Sequence, residues 1–250
     1  MQRCRGDDNL YLYIYLAIFL SGVLRMQPHK NISLAVIKRL PSYYRYLEDT
    51  LDDGITRISS KDLSKRMGVT ASQIRQDLNN FGCFGQQGYG YNTELLYGEI
   101  KKILGLEKQY SMIIIGAGNI GQALVNHISF QKRGFNFTAV FDVNPKLIGL
   151  TIQEIEVFGA DFLSDYLSST HVDIAVLSLP GNSASDIAQK VIAGGVKGIW
   201  NFSNIDIKAP DDVKVENVHL MDSLMILSYK LNEKEILSKF GAGTNPNLNS

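Results

Sequence analysis

Three glycines follow an apolar run in the middle of the chain, at a spacing that could bind a dinucleotide. The run Met112–Ile115 leads into Gly116, Ala117, Gly118, Asn119, Ile120 and Gly121. Glycines at these positions allow a tight turn and a close approach of backbone to a pyrophosphate, which the N-terminus of the following helix attracts. The run itself has the unbroken apolar character of a buried parallel strand.

An acidic residue stands where such a site needs one. A second apolar run, Phe137–Phe141, ends at Asp142, which lies 21 residues beyond Gly121. A carboxylate there accepts hydrogen bonds from an adenosine ribose, and it disfavours NADP(H) because the 2′-phosphate would meet it. The pattern predicts an NADH/NAD⁺ site. The alternative is a glycine turn without a ligand, in which Asp142 only caps a helix or turn.

Polar and basic side chains in two short helices form a second candidate site. The first helix is expected from Ser59 to Gly68 and the second from Thr70 to Phe81. Two short helices joined by a tight turn are typical of a helix-turn-helix motif, whose second helix contacts bases. The predicted DNA contacts in this region and in the hairpin after it are Ser59, Ser60, Lys61, Thr70, Ser72, Gln73, Arg75, Gln76, Gln87 and Gly88.

The residues after the second helix indicate a hairpin wing, because glycines alternate with aromatic residues between Cys83 and Tyr91. The tip of this wing could enter a minor groove. Between Thr56 and Tyr91, five basic residues face two acidic ones, an excess that would attract a duplex. The alternative is a solvated basic face on helices that cap an unrelated core.

Two local predictions concern the same region. Apolar residues recur at helical spacing from Ile32 to Leu47, and Pro41 predicts a break near Leu40 because proline lacks an N–H and clashes with the preceding turn. Thr70 and Gln73 predict a reciprocal capping box at the second short helix.

The remainder of the chain alternates strand and helix, which predicts an α/β fold with a doubly wound parallel sheet. Pro180 follows the strand Ile174–Ser178 and could touch the nicotinamide end of a cofactor or simply begin a helix. An apolar helix is expected from Asp222. We therefore expect a winged-helix domain over 26–108, a Rossmann domain over 109–220, a dimerisation helix over 221–240 and a disordered tail over 241–250.

Composition frames these expectations. The chain has 250 residues and a formal net charge of zero, yet 26–108 holds 12 basic against 9 acidic residues and 109–250 holds 10 against 14. Two cysteines are too few for a disulfide framework or a metal site, which favours a reducing, cytoplasmic location. Residues 1–25 hold an apolar run too short to cross a bilayer, and we expect them to be a non-native extension from an upstream start codon.

An enzyme is one competing function, because an NAD-dependent dehydrogenase opens with the same strand–helix–strand unit. The 108 residues after Asp142 can complete the nucleotide-binding fold and no more. No catalytic residue is predicted, since the four histidines show no paired acid or nucleophile motif. A nucleotide-binding scaffold that does not bind DNA is a third possibility.

The winged helix-turn-helix and the nucleotide fold together resemble the Rex family of redox-sensing transcriptional repressors, over nearly all of 33–236. The resemblance is carried by Ile37-Lys-Arg-Leu-Pro41, Ser59-Ser-x-x-Leu63, Thr70-Ala-Ser-Gln-Ile-Arg-Gln-Asp-Leu78, Phe81-Gly-x-Phe-Gly-Gln-Gln-Gly-Tyr-Gly-Tyr91, Gly116-Ala-Gly-Asn-Ile-Gly121 and Val218-His-Leu-Met-Asp222. It implies a homodimer that binds a palindromic operator when NADH is scarce and is released when NADH binds. It also implies that the last helix is swapped onto the partner's cofactor domain.

The resemblance assigns coupling roles to three residues. Arg45 and Asp222 match positions that the family uses to couple the cofactor to the DNA domain across the dimer. His127 stands where family members often have tyrosine, so the response to ligand could depend on pH, since the ordinary pKa of histidine is about 6.5. Without the resemblance, Arg45 could pair with an acid on its own helix, Asp222 could cap the last helix, and His127 could be a plain surface residue.

Overall fold

The computed structural model describes residues 32–81, 85–86, 89–127 and 129–241. The chain divides between Leu106 and Glu107 into two compact units, called here the N-terminal unit and the C-terminal unit. The expectations for residues 1–25, for the wing tip Gln87-Gly88 and for the tail beyond Gly241 lie outside the described residues.

The described part of the N-terminal unit combines helices with a small antiparallel sheet of order β1-β3-β2. Its core packs Leu40 and Leu47 of the first helix against Leu63 and Ile74 of the two short helices, which holds the helix-turn-helix on that first helix. The elements are α1 (Leu34–Asp52), β1 (Arg57–Ile58), α2 (Ser60–Met67), α3 (Ala71–Asn79), β2 (Gly85–Gln86), β3 (Gly90–Asn92) and α4 (Thr93–Ile103). The strands β2 and β3 pair as the predicted wing hairpin.

The predicted break at Pro41 is wrong, since α1 continues through the proline. The proline is exposed, while buried residues lie on both sides of it on one face of the helix, among them Leu40 and Tyr43. Burying that continuous face offsets the one backbone hydrogen bond that a proline removes.

The C-terminal unit has the predicted α/β architecture. Its sheet has the order β10-β9-β8-β4-β5-β7-β6 and is parallel except for β6, which is antiparallel to β7. The strands are β4 (Tyr110–Ile115), β5 (Phe135–Asp142), β6 (Thr151–Ile152), β7 (Ile155–Gly159), β8 (Ile174–Leu177), β9 (Gly198–Asn201) and β10 (Lys214–Asn217). The helices are α5 (Asn119–Val125), α6 (Ser129–Lys132), α7 (Leu163–Ser169), α8 (Gly181–Ala193) and α9 (Leu220–Gly241), with a 3-10 turn at Ala160–Phe162.

The central strand β4 has an unbroken apolar sequence because both of its faces are buried. Ile113 and Ile115 pack into one core layer, and Met112 and Ile114 pack into the other. Helices therefore cover both faces of the sheet, as in doubly wound folds. The chain leaves β4 and β8 towards opposite sides, so the loops after these neighbouring strands meet at one crevice, where such folds bind ligands.

A strained turn joins β6 and β7. Ile152 pairs with Ile155 across a two-residue loop of Gln153 and Glu154, whose φ angles are +48° and +66°. Positive φ at both positions defines a type I′ turn, which favours asparagine and glycine. The amide of Gln153 donates a hydrogen bond to Asn126 Oδ1 at 3.1 Å, which ties the turn to the end of α5.

Replacing Glu154 with glycine should raise the free energy of unfolding by about 0.5 to 1 kcal/mol, because left-handed backbone is costly for other residues. Urea unfolding measures the change. Glu156→Gly, two residues further along in β7, is the matched control and should be destabilising, since glycine weakens a strand interior. A midpoint for Glu154→Gly at or below that of the wild type would show that the turn is unstrained.

The last helix, α9, begins at Leu220, two residues before the predicted start. Its large apolar side chains from Leu220 to Leu231 are about half or more exposed in the single chain, including Met225. Among the described residues, no helix is both long and apolar enough to span a bilayer.

Candidate functional sites

The glycine loop between β4 and α5 has two crowded glycines and one open one. Gly116 has a φ of +105°, and a Cβ there would lie 2.5 Å from the carbonyl oxygen of Ser178. A Cβ on Gly121 would overlap the carbonyl oxygen of Gly116, whereas a Cβ on Gly118 would meet nothing within 4 Å. Two glycines therefore serve close packing inside the unit, and Gly118 faces the open side where a pyrophosphate would lie.

Asp142 braces this loop from the end of β5. Its Oδ2 accepts a hydrogen bond from the Ala117 N–H at 2.6 Å, and its Oδ1 accepts one from the Asn144 N–H at 2.7 Å. A carboxylate offers about four acceptor positions, so two remain for ribose hydroxyls. The side chain is half-buried. Asp142 therefore has room for the predicted ribose contact, and its bond to the Asn144 N–H also makes it the turn cap that was considered as the alternative.

Two further residues hold the loop, and the sequence analysis missed both. The hydroxyl of Ser178 donates to the carbonyl oxygen of Gly116 at 2.7 Å, and the amide of Gln122 donates to that of Ala117 at 2.7 Å. Ser178 is a polar residue directly after a buried strand, at the edge of the sheet where ligands bind. Its role in the loop could have been predicted from that position.

The other predicted cofactor residues lie at the same edge. Asn119 begins α5 and is exposed, Ile120 is half-buried, and Pro180 is an exposed residue at the start of α8. The side chain of Asn204 closes in on Gly181 beside it, because a Cβ on that glycine would meet its Oδ1. The loops after β4 and β8 lie side by side, since a Cβ on Gly116 would lie 2.5 Å from the carbonyl oxygen of Ser178.

A buried amide, which the sequence analysis did not single out, orders the loop after β9. Asn201 is fully buried. Its Nδ2 donates to the Ile205 carbonyl and to Asn217 Oδ1, both at 2.7 Å, and its Oδ1 accepts from the hydroxyl of Ser203 at 2.7 Å. The same Oδ1 also accepts from the Ser203 N–H at 3.0 Å, so all four hydrogen-bonding positions of the amide are used and the loop after β9 is held in place.

The eight predicted DNA contacts that fall within the described residues lie on α2 and α3 or directly before them. Ser59 and Thr70 are the N-caps of these helices, and their hydroxyls accept hydrogen bonds from Asp62 N–H and Gln73 N–H, each at 3.1 Å. Ser59 also donates to the Asp62 carboxylate at 2.6 Å. Both hydroxyls are thus already engaged in capping, which orients the two helix starts.

Arg75 joins the two helices of the motif. Its guanidinium donates to the hydroxyl of Ser60 at 3.1 Å. The side chains of Lys61, Ser72 and Gln76 are exposed. On β1, the guanidinium of Arg57 lies 6.0 Å from the ring centroid of the exposed Tyr89. The two helices thus carry exposed polar and basic side chains, namely Lys61, Ser72, Arg75 and Gln76.

The predicted capping box at α3 is only half present. Thr70 caps Gln73 as expected, but the side chain of Gln73 reaches forward instead and donates to Asp77 Oδ1 at 2.8 Å. The reason is that Asp77 is fully buried, and a buried carboxylate requires every available donor.

Asp77 is the centre of a buried hydrogen-bonded cluster that includes Arg39 and Tyr43 of α1. Arg39 binds it in bidentate geometry, with Nε donating to Oδ2 at 2.7 Å and Nη2 to Oδ1 at 2.8 Å. The hydroxyl of Tyr43 donates to Oδ2 at 2.9 Å. This cluster was not predicted from the sequence, although an acid next to the apolar flank of α3 was a signal.

Acid should weaken the N-terminal unit through Asp77. Burial opposes ionisation, but hydrogen bonds from Arg39, Gln73 and Tyr43 outweigh it and hold the pKa of Asp77 below its usual range. The unfolded chain therefore takes up this proton first, near pH 4, so the stabilisation is complete above that pH and is lost as the pH falls below it. Asp77→Asn should cost about 1 to 2 kcal/mol at pH 7, and the difference from the wild type should shrink by pH 3.

Urea unfolding at pH 7, 5 and 3 measures this convergence. Asp49→Asn, an exposed substitution on α1, is the control and should show no comparable trend. If the difference in free energy of unfolding between the wild type and Asp77→Asn were the same at pH 3 as at pH 7, it would contradict a stabilising role of the ionised Asp77 carboxylate.

The three coupling candidates fall on different elements. Arg45 is exposed on α1, with its guanidinium 5.5 Å from the ring centroid of Tyr46. Asp222 is exposed in the first turn of α9, where a negative charge is favourable. His127 is exposed beside α5, and its Nδ1 lies 2.7 Å from the hydroxyl of Ser129.

Two other histidines do pair with acids, which corrects the sequence expectation. His171 Nε2 lies 3.0 Å from Asp173 Oδ1, and His219 Nε2 lies 3.0 Å from Asp206 Oδ1. Asp173 also accepts from the Ser111 N–H at 2.8 Å, so its pair with His171 belongs to the sheet edge opposite the glycine loop. Neither pair includes a nucleophilic side chain among the described residues.

Two family models match the chain, one in each unit. The model described as "Putative DNA-binding protein N-terminus" matches residues 31–79, and the model described as "CoA binding domain" matches residues 107–205. The first covers α1 to α3, and the second covers the glycine loop and most of the parallel sheet.

Individual proteins match across both units. A curated relative from Caldanaerobacter subterraneus subsp. tengcongensis, named redox-sensing transcriptional repressor Rex, is 56% identical over 213 residues, which are 85% of this chain and 95% of the relative. The crystal structure of RSP in complex with β-NAD⁺ and operator DNA is 54% identical, with a TM-score of 0.80 over 86% of this chain and 100% of RSP. RSP in complex with β-NADH is 52% identical, with a TM-score of 0.78 over 84% of this chain and 99% of RSP.

Proposed function

The chain belongs to the Rex family of redox-sensing transcriptional repressors, and we propose from this that it senses the NADH/NAD⁺ ratio. In this proposal a homodimer binds a palindromic operator when the ratio is low. NADH binding to the C-terminal unit releases the DNA. NADH and NAD⁺ act as sensed ligands and undergo no reaction.

The observation that carries the proposal is the match to RSP over both units. RSP has been solved with operator DNA and β-NAD⁺ and with β-NADH, and this chain has a candidate site for each kind of partner. The open glycine at the start of α5 suits a pyrophosphate, and the polar start of α3 suits a major groove.

The residue roles follow from these sites. We assign the cofactor to Gly116, Ala117, Gly118, Asn119, Ile120, Gly121, Asp142 and Pro180. We assign the DNA to Ser59, Ser60, Lys61, Thr70, Ser72, Gln73, Arg75, Gln76, Gln87 and Gly88. Arg45, His127 and Asp222 are proposed to couple the two sites, with the DNA-binding domain over 26–108, the cofactor domain over 109–220 and the dimerisation helix over 221–240.

The chain is a regulator and not an enzyme, since its relatives are named as transcriptional repressors. A dehydrogenase and a scaffold without DNA binding were the alternatives, and the match over the helix-turn-helix disfavours both. Because an operator-binding protein must reach chromosomal DNA, we place it in the cytoplasm.

A gel shift on promoter fragments tests the function directly. The full chain should retard a subset of fragments in the presence of NAD⁺, and NADH should reverse the shift at a concentration at which NAD⁺ does not. Arg75→Ala is the control for specific contact, since it should weaken the shift whichever group it contacts. A shift that NADH leaves unchanged would contradict the sensor function, and no shift on any fragment would contradict DNA binding.

A further inference from the structure

The buried cluster around Asp77 lies directly behind a proposed base-reading residue. Gln73 is the third residue of α3 and is half-buried, while Asp77 stands one turn further along on the buried side. The two side chains are joined by the 2.8 Å hydrogen bond from Gln73 Nε2 to Asp77 Oδ1. The orientation in which the Gln73 amide can contact DNA therefore depends on its hydrogen bond to Asp77.

We propose that Asp77 is a specificity-determining positioning residue, which fixes the amide orientation of Gln73 so that the operator carries adenine opposite it. This inference rests on the proposed function. An ionised carboxylate only accepts hydrogen bonds, so the NH₂ group of Gln73 must face Asp77. The oxygen Oε1 and the second N–H are left for another partner.

That remaining donor and acceptor pair discriminates between the purines. In the major groove adenine presents a donor at N6 and an acceptor at N7, whereas guanine presents acceptors at both O6 and N7. An amide that keeps its oxygen on the outer side can satisfy adenine at both positions. Guanine would place its O6 against that oxygen, leaving two acceptors facing each other.

The cluster also ensures that Asp77 stays ionised and immobile. Arg39 contacts both carboxylate oxygens, at 2.7 and 2.8 Å, and Tyr43 binds Oδ2. The side chain of Asp77 is 0% exposed and that of Arg39 is 28% exposed, so the pair is shielded from water on the carboxylate side. A guanidinium fork fits a carboxylate in one plane, and Oδ1 accepts from Gln73 Nε2 in addition to Arg39 Nη2.

Replacing Asp77 with asparagine should release the outward face of Gln73. Arg39 Nη2 and Gln73 Nε2 donate at the Oδ1 position, and Arg39 Nε and the Tyr43 hydroxyl donate at the Oδ2 position. The single oxygen of the new, neutral amide can serve only one of these positions, and its NH₂ group can only donate. Gln73 is then no longer fixed in one orientation and can turn its own NH₂ group to the groove, where it suits the two acceptors of guanine.

The experiment selects DNA with the full-length protein from a library of random duplexes, in the presence of NAD⁺, for the wild type and three variants. Gln73→Met removes the amide and identifies the base pair that Gln73 reads. The wild type should prefer adenine over guanine there by about 5- to 150-fold, the range for one bidentate base contact. Asp77→Asn should reduce that preference to threefold or less, or invert it, at the same base pair and no other.

Tyr43→Phe is the matched control. It removes a hydrogen bond from the same carboxylate but on Oδ2, away from Gln73, so it should lower stability while the adenine preference stays within twofold of the wild type. A purely structural role for Asp77 would instead make both variants lose affinity evenly across sequences.

Three results would overturn the inference. Asp77→Asn could keep the full adenine preference, Gln73→Met could leave the selected sequence unchanged, or Tyr43→Phe could relax the same base pair as much as Asp77→Asn. If the wild type selects no duplex at all, the proposed DNA binding is wrong, and the inference is wrong with it. If the wild type selects a defined duplex and one of the three results above is found, only the inference is wrong.

A second measurement decides the matter even if Asp77→Asn does not fold. In the ¹⁵N-labelled wild type, the side-chain NH₂ signal that disappears in Gln73→Met belongs to Gln73. One of its protons should exchange with water at least tenfold more slowly than those of the exposed Gln76 on the same helix, because it is held by a buried carboxylate. Exchange as fast as that of Gln76 would show that the amide is free to turn and would overturn the inference.

Discussion

Gly118→Ala should weaken NADH binding by about 10- to 100-fold while the protein keeps its fold. A methyl group at this position meets no protein atom, and alanine costs less than about 1 kcal/mol at a helix N-cap relative to glycine. The same methyl group would occupy the space that the pyrophosphate needs, and over-packing of that kind costs about 1 to 3 kcal/mol. Calorimetry with NADH and a thermal melt of the free protein measure the two effects separately.

Gly121→Ala is the matched variant, and we expect it to lower the stability of the free protein as well as its NADH affinity. Its methyl group would overlap the Gly116 carbonyl oxygen and lie 3.0 Å from Ser178 Oγ. Backbone must then move, so the free protein should lose about 1 to 3 kcal/mol of stability in addition to its NADH affinity. Wild-type NADH affinity in Gly118→Ala would mean that the phosphates do not lie over that glycine, and equal melts for the two variants would contradict the difference in crowding.

Operator DNA should weaken NADH binding by a factor of about 5 to 150 in the wild type. A ligand shifts a two-state equilibrium only by its different affinity for the two states, and the coupling free energy of about 1 to 3 kcal/mol must act equally in both directions. NADH that releases operator DNA must therefore be displaced by it. Fluorescence titrations of NADH with and without saturating operator measure the factor.

Arg45→Ala and Asp222→Ala should lower that factor towards one and leave NADH affinity of the free protein within about twofold. Both side chains are exposed in the single chain, so truncating them removes little packing within either unit. Asp49→Ala, another exposed acid on α1, serves as the control and should keep the full factor. Equal NADH affinities with and without operator in the wild type would contradict the sensor mechanism, and fully coupled variants would remove these residues from it.

The strand–loop–helix unit of the proposed nucleotide site could be predicted from sequence because its parts are local. The strand β4, the glycine loop and α5 follow one another directly, and crowding within the unit requires glycine at positions 116 and 121. The position of Asp142 at the end of β5 beside the loop was predictable in the same way, since a strand end in a parallel sheet has a fixed place relative to the first loop, and its contact with a ribose stays a prediction. Ser178 was missed because its hydrogen bond crosses from β8 to the loop after β4, and no local pattern encodes that pairing.

The helix-turn-helix could be predicted only as a pattern of helices. Thr70 and Ser59 cap their helices as their residue types predict, but the direction of the Gln73 side chain depends on Asp77 and on Arg39, which lies 38 residues earlier. Local rules also failed at Pro41, where burial on both sides overrides a helix-breaking residue. They gave no sign of the turn at Gln153-Glu154, whose residues are not those that its backbone favours.

Helix α9 makes the proposed dimer depend on the concentration of the protein. Its exposed apolar side chains, such as Leu227 and Leu231, are covered in the proposed homodimer only when a second chain is present. The free energy of that covering depends on mass action, and a tenfold dilution reduces it by about 1.4 kcal/mol per association step. Under the proposed function, the fraction of chains able to span both halves of a palindromic operator therefore depends on copy number, and the NADH threshold would shift with the amount of protein that the cell makes.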